Sequence, residues 1–132
     1  MIDSMIHIAS SGYEKKLHSG SWLIAATGSQ RGATDASSIR TMGRHRETNE
    51  VFVLLSGEGT LVTAGFGAAP DALIFTPLQK GYLHTVRMGE WHALVLRDNA
   101  QTLIVENNGT DGTNSDQFVL SDSQQAEIRA RC

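Results

Sequence analysis

Apolar residues in this chain arrive in runs of about five, each closed by glycine, asparagine, aspartate or proline, and that rhythm limits what it can fold into. A helix packed on a core needs an apolar stripe sustained over several turns. Runs this short, and rich in Val, Ile, Thr, Phe or Trp, read as strands instead. Nine of them stand at 21–27, 37–42, 50–56, 59–64, 72–76, 82–86, 91–97, 101–106 and 116–120. Turns at Gly57-Glu58-Gly59, 65–70, Asp98-Asn99 and 107–114 separate several of these runs. Many short strands with close turns predict an all-β sandwich or barrel. Only 123–131 (SQQAEIRAR) has helix-forming composition, and at a chain terminus the same residues also suit a disordered tail.

A chain of 132 residues is long enough for one core and too short for two, so a single domain over 1–132 is expected, with a tail over about 121–132. The formal net charge of −3, without a clustered basic face, argues against nucleic acid as a partner. No apolar stretch approaches bilayer-spanning length, and residues 1–12 lack the basic start and continuous apolar run of a secretory signal. The one cysteine, Cys132, allows no internal disulfide framework and suits a reducing interior, so a cytoplasmic location is expected.

Two segments carry chemistry. In the first, Gly43-Arg44-His45-Arg46-Glu47-Thr48-Asn49-Glu50 leads into Val51 to Gly57. His45 and Glu50 are separated by an odd number of residues and would fall on opposite faces of one strand. The polar stretch 46–49 reads as a turn that resets the face, so the two can converge. Alternation then places Phe52 and Leu54 on the face of Glu50, lining a largely apolar cavity. A buried carboxylate there needs a partner. The second segment, 81–92, reads as a strand, a turn through 87–90 and a new strand. If the turn closes a regular hairpin, Val86 pairs with Trp91 and Thr85 with His92. Thr85, His92, Leu94 and Leu96 then share the inner face, and His84 lies on the other, unless a bulge reverses it. Plainer roles stand beside these: His45 as a loop histidine between Arg44 and Arg46, and Glu50 as a rim carboxylate paired with Arg44, Arg46 or Arg87. His7, His18 and His84 read as surface or satisfied histidines, and Trp91, opposite in face to His92, as packing or a dimer contact.

These spacings resemble the two signature motifs of the cupin superfamily. His45, Glu50 and Gly57 match the second His, the Glu and the closing Gly of the first motif, while Gly43 stands at its first His and Ser37 at its opening Gly. In the second motif Gly81, Gly89 and His92 fit in register, with Arg87 in place of Pro and Leu96 in place of Asn. The resemblance covers about 39–106. It implies a single-domain cupin barrel, of double-stranded β-helix or jelly-roll type, and in metal-binding members the matching residues ligate a metal. Carried over, His45, Glu50 and His92 form a two-His, one-carboxylate set suited to a divalent first-row ion such as Fe, Mn, Ni or Zn. Candidate pocket residues are Phe52, Leu54, Thr85, Leu94, Arg87 and Glu47, the last two at the mouth to orient an anion.

Three functions remain open to such a chain. One is a small cupin binding a polar small molecule at that metal. Another is a metal-independent enzyme like the nucleotide-sugar isomerases and epimerases of cupin fold, which the stretch from Phe75 through His92 to Glu106 also resembles. The third is a non-catalytic ligand-binding or sensory module. Fold does not choose among them. Apolar runs 51–55 and 103–105 read as buried on both faces, and cupins commonly pair through edge strands, so a homodimer is expected.

Overall fold

The computed structural model describes residues 4–132; residues 1–3, part of the stretch read above for a secretory signal, lie outside it. The chain forms strands β1 (Gly12–Ser19), β2 (Trp22–Gly28), β3 (Thr41–His45), β4 (Glu50–Thr63), β5 (Ile74–Pro77), β6 (His84–Val86), β7 (His92–Asn107) and β8 (Ser115–Val119). A short 3-10 turn (Ala36–Ser38) precedes β3, and helix α1 (Asp122–Arg131) ends the chain. The strands make one curled sheet in the order β1-β2-β7-β3-β8, with β4 pairing β5, β6 and β7. This is the all-β architecture that the short apolar runs predict.

Four of the predicted strands prove to be two. Runs 50–56 and 59–64 join as β4, and 91–97 and 101–106 join as β7, because the interruptions face each other across the ladder. Ser56 opposes Gln101 and Glu58 opposes Arg97, so pairing resumes on both sides of the irregularity. Gly57 there has φ +73°, and a Cβ on it would meet Ala100 Cα at 2.4 Å, so only glycine fits. Asp98 and Asn99 opposite also take positive φ, at 57° and 54°, a conformation Asp and Asn tolerate better than most residues. The result is a long antiparallel ribbon bent at its middle. Val51 opposes Val105 at one end, Thr63 opposes His92 at the other, and the bend brings the ends back together.

Alternation along the ribbon loads both faces. Leu61 and Leu96 join Phe52, Leu54 and Ile104 in one apolar cluster, while their neighbours Val62 and Val95 belong to a second with Met42, Trp91 and Leu120. Each fully buried side chain of this size contributes about 1.5–3 kcal/mol. Helix α1 covers the second cluster with Ile128, which is wholly buried. Its start is set by a capping box, in which the Ser121 side chain accepts from the Gln124 N–H and Gln124 returns to the Ser121 N–H. The C-terminal residues are therefore a docked helix. Trp91 is packing, its Nε1 donating to Gly67 O at 2.9 Å and its ring under the Arg44 guanidinium at 4.3 Å. Among the described residues, no helix is long and apolar enough to cross a membrane.

Two expectations need correction. The second motif is not a hairpin: β6 pairs with β4, Val86 opposing Glu50, Thr85 opposing Val51 and His84 opposing Phe52. Thr85 is therefore exposed, and His84, not Thr85, shares a ladder position with the inward Phe52. The turn at 87–90 leads the chain away from its own preceding strand, which a local reading cannot see. Strand β1 had no forecast at all. Its sequence, GYEKKLHS, lies at the sheet edge with little burial and carries no apolar alternation to read.

Candidate metal centre

Three strand ends build the site. His45 closes β3, Glu50 opens β4 and His92 opens β7. The bent ribbon supplies both Glu50 and His92, and β3 lies beside β7 through Gly43 opposite His92. The donor atoms of His45, Glu50 and His92 lie within 4.8 Å of one another. Glu50 Oε2 is 3.0 Å from His45 Nε2 and 2.9 Å from His92 Nε2. Despite those distances, neither contact has the alignment of a hydrogen bond, and Glu50 Oε2 is buried without a partner.

The far ring nitrogens explain the misfit. His92 Nδ1 lies 3.0 Å from the carbonyl of Glu90. A carbonyl only accepts, so Nδ1 carries the proton, and in a neutral ring Nε2 presents its lone pair to the carboxylate. His45 Nδ1 lies 2.7 Å from the Oγ of Ser115, its ladder partner, a hydroxyl that accepts from the ring when Nδ1 carries the proton and so admits the same tautomer. Lone pairs of two imidazoles and a carboxylate thus face one another in a buried place. Either a proton on a ring or a cation between them resolves this. Two donors bound at about 2.1 Å and at right angles on one ion lie about 3.0 Å apart, which matches both contacts. The donor set fits a divalent first-row metal.

The electrostatics describe the first of these resolutions, in which the rings are protonated and donate to Glu50. Burial pushes the Glu50 carboxyl upward, but the polar contacts and charge of His45 and His92 more than reverse this and bring it down to about 2. Burial lowers the His92 imidazolium, and Glu50 beside it raises it further than burial lowers it. A second carboxylate, Glu106, sits one ladder step beyond the Val51–Val105 pair and so across from Glu50. Burial and the Glu50 charge push its pKa up. Tyr13 donates its hydroxyl to Glu106 Oε1 at 3.2 Å, and burial together with the Glu106 charge raises the phenol in turn.

Beside His45 and Glu50 opens a cavity of about 600 Å³, lined also by Tyr13, Lys15, Glu106, Ser115 and Gln117 among others. None of the six pocket residues expected from the sequence lines it. Phe52 lies beneath, its ring 6.1 Å from that of His92, with Leu54 and Leu94 in the apolar cluster it belongs to. Thr85 and Arg87 are exposed elsewhere, and Glu47 is an exposed acceptor for Asn114 Nδ2 at 3.2 Å. The missed residues come from β1, the end of β7 and β8. Glu106 alone had a readable signal, since it follows Ala100, Thr102 and Ile104 at every second position on an inward face.

No protein-family model and no curated protein matches the chain. Solved structures do. PAC13 from Streptomyces, a nucleoside dehydratase, in its form with uridine, superposes with a TM-score of 0.63 at 11% identity, covering 94% of this chain and 98% of that one. CapF from Staphylococcus aureus, a capsular polysaccharide assembling protein, matches at 0.59 and 20% identity over 89% of this chain and 34% of its own. An RmlC-like cupin from Desulfovibrio desulfuricans matches at 0.50 and 20% identity, over 72% and 79%. At these identities the likeness is one of fold, and the fold is the cupin barrel.

Proposed function

On the footing of a cupin barrel, we propose that this protein binds a polar small molecule in the barrel mouth, at a divalent first-row metal held by His45, Glu50 and His92. One observation carries the reading: two imidazole nitrogens stand 3.0 and 2.9 Å from a single buried carboxylate oxygen without a hydrogen bond to it. Bound there, the ion would supply Lewis-acid or redox chemistry. The chain's own contribution is to orient. Ser115 and the Glu90 carbonyl fix the two rings, Phe52 keeps the floor dry, and Lys15, Tyr13 and Gln117 offer charge and hydrogen bonds to a hydroxylated or anionic ligand. The homodimer expected from the sequence belongs with this reading, supported by the exposed Trp22 and Val105 on neighbouring strands. Light scattering that shows only monomer removes it.

A second reading keeps the site metal-free. Glu50 held ionised at about 2 beside a His92 whose pKa is raised forms a carboxylate–imidazolium pair able to move protons. PAC13, a nucleoside dehydratase of the same fold, makes a nucleoside the first substrate to try for such chemistry. Elemental analysis of protein purified without chelator or affinity-tag metal separates the two. About one first-row ion per chain, lost in His45→Ala and His92→Ala, supports the metal reading. A wild type that holds none and takes up none of Fe(II), Mn(II), Ni(II) or Zn(II) removes it, and sugar nucleotides become the ligands to screen.

A further inference from the structure

The geometry points to Glu106 as a fourth ligand, making the centre two-His, two-carboxylate; this rests on the metal reading above. Glu106 is 7% exposed, and its Oε2 has no hydrogen-bonding partner. A carboxylate oxygen buried with nothing to accept from is costly, and one facing another carboxylate across a ladder more so. Among the described residues neither Glu50 nor Glu106 is paired with a lysine or arginine; their ion-pair contacts are with histidines.

Distance, charge and support converge on the assignment. Oε2 of Glu106 lies 3.9 Å from His45 Nε2. Donors sharing an ion at about 2.1 Å stand roughly 3.0 Å apart at right angles and roughly 4.2 Å apart when opposed, and the contact to His45 falls inside that span. The donors mutually within 4.8 Å are those of His45, Glu50 and His92, so Glu106 closes the remaining distance as the ion binds. A divalent ion with two neutral imidazoles and Glu50 keeps one positive charge, while Glu106 beside it keeps one negative charge; ligation cancels both. Each histidine donor has its other nitrogen held, by Ser115 or the Glu90 carbonyl, and Glu106 has its other oxygen held by Tyr13 in the same fashion. Gly43, beside His92 in the ladder, offers no side chain, and Glu106 makes up the number from another strand.

The test is titration of the full-length, chelator-stripped protein with Co(II), reading affinity by competition and coordination by visible absorption. Wild type should take up one ion per chain. Glu106→Gln should bind about tenfold more weakly or worse, with an altered ligand-field spectrum. Wild-type affinity and an unchanged spectrum in Glu106→Gln would overturn Glu106 as a ligand and leave the three-donor site standing. A wild type that takes up no Co(II) overturns both, and is seen before any variant is made. If circular dichroism shows that the glutamine variant does not fold, Glu106→Asp keeps the charge and retracts the oxygens. An altered spectrum there supports ligation, and an unchanged one refutes it.

Discussion

Replacing Glu50 by glutamine in the metal-free protein should flatten its response to acid. The carboxylate is 6% exposed and lies between two imidazoles, which bring its pKa from an ordinary 4.5 to about 2. The difference of roughly 2.5 pH units, at about 1.36 kcal/mol each, makes the ionised form worth about 3 kcal/mol to the folded state. Because the folded value is the lower one, that stabilisation is complete above about pH 4.5 and is lost as pH falls through about 2. Urea unfolding in chelator, followed by fluorescence of the buried Trp91, gives stability at a series of pH values. Between about pH 5.5 and about pH 2 the wild type should lose most of that 3 kcal/mol in excess of what Glu50→Gln loses. The comparison cancels the exposed carboxylates, whose titration both proteins share. It is read with the His92 ring charge followed by NMR in both proteins, because without Glu50 burial lowers the His92 pKa and gives the variant an acid loss of its own, which is subtracted. Equal losses in the two would mean that the imidazoles do not hold Glu50, and the convergence of donors would be refuted with it.

Other perturbations probe the supports. Ser115→Ala frees the His45 ring at Nδ1 and should weaken metal retention about 10- to 100-fold against a competing chelator, with no change in fold. Gly43→His should bind metal more tightly and release it to chelator more slowly: the residue lies beside His92, and a Cβ there meets nothing nearer than Asp116 O at 3.7 Å. Slower loading or weaker retention in that variant would show that the added ring points elsewhere. Ser121→Ala removes the side-chain acceptor of the α1 capping box, leaving the Ser121 N–H to Gln124 bond, and should cost about 1 kcal/mol, read as a drop of a few degrees in Tm, while leaving metal content unchanged.

What could be read in the sequence was local. Val, Ile and Phe alternating through 50–56 and 101–106 declare strands wherever they sit, and the motif spacing singled out His45, Glu50 and His92, three side chains that do come together. Gly57 and Asp98-Asn99 read as turns because a bend and a turn use the same residues; only the partner strand, bent at the same height, distinguishes them. The placing of β6 against β4 depends on topology in the same way, so Thr85 could not be located from its own neighbourhood. Tyr13 and Ser115 were invisible for a further reason. They lie on β1 and β8, strands without a strong apolar pattern, and reach the site only because the sheet curls.

The bent ribbon gives the centre a second consequence. Glu50 and Glu106 lie at one tip and His92 at the other, so an ion held among them would work like the clasp of a bracelet, closing the bent ribbon on itself. Opening the barrel would then require breaking the clasp, and the amides around the hinge at Gly57, remote from the ion, would exchange with solvent more slowly once it is fastened.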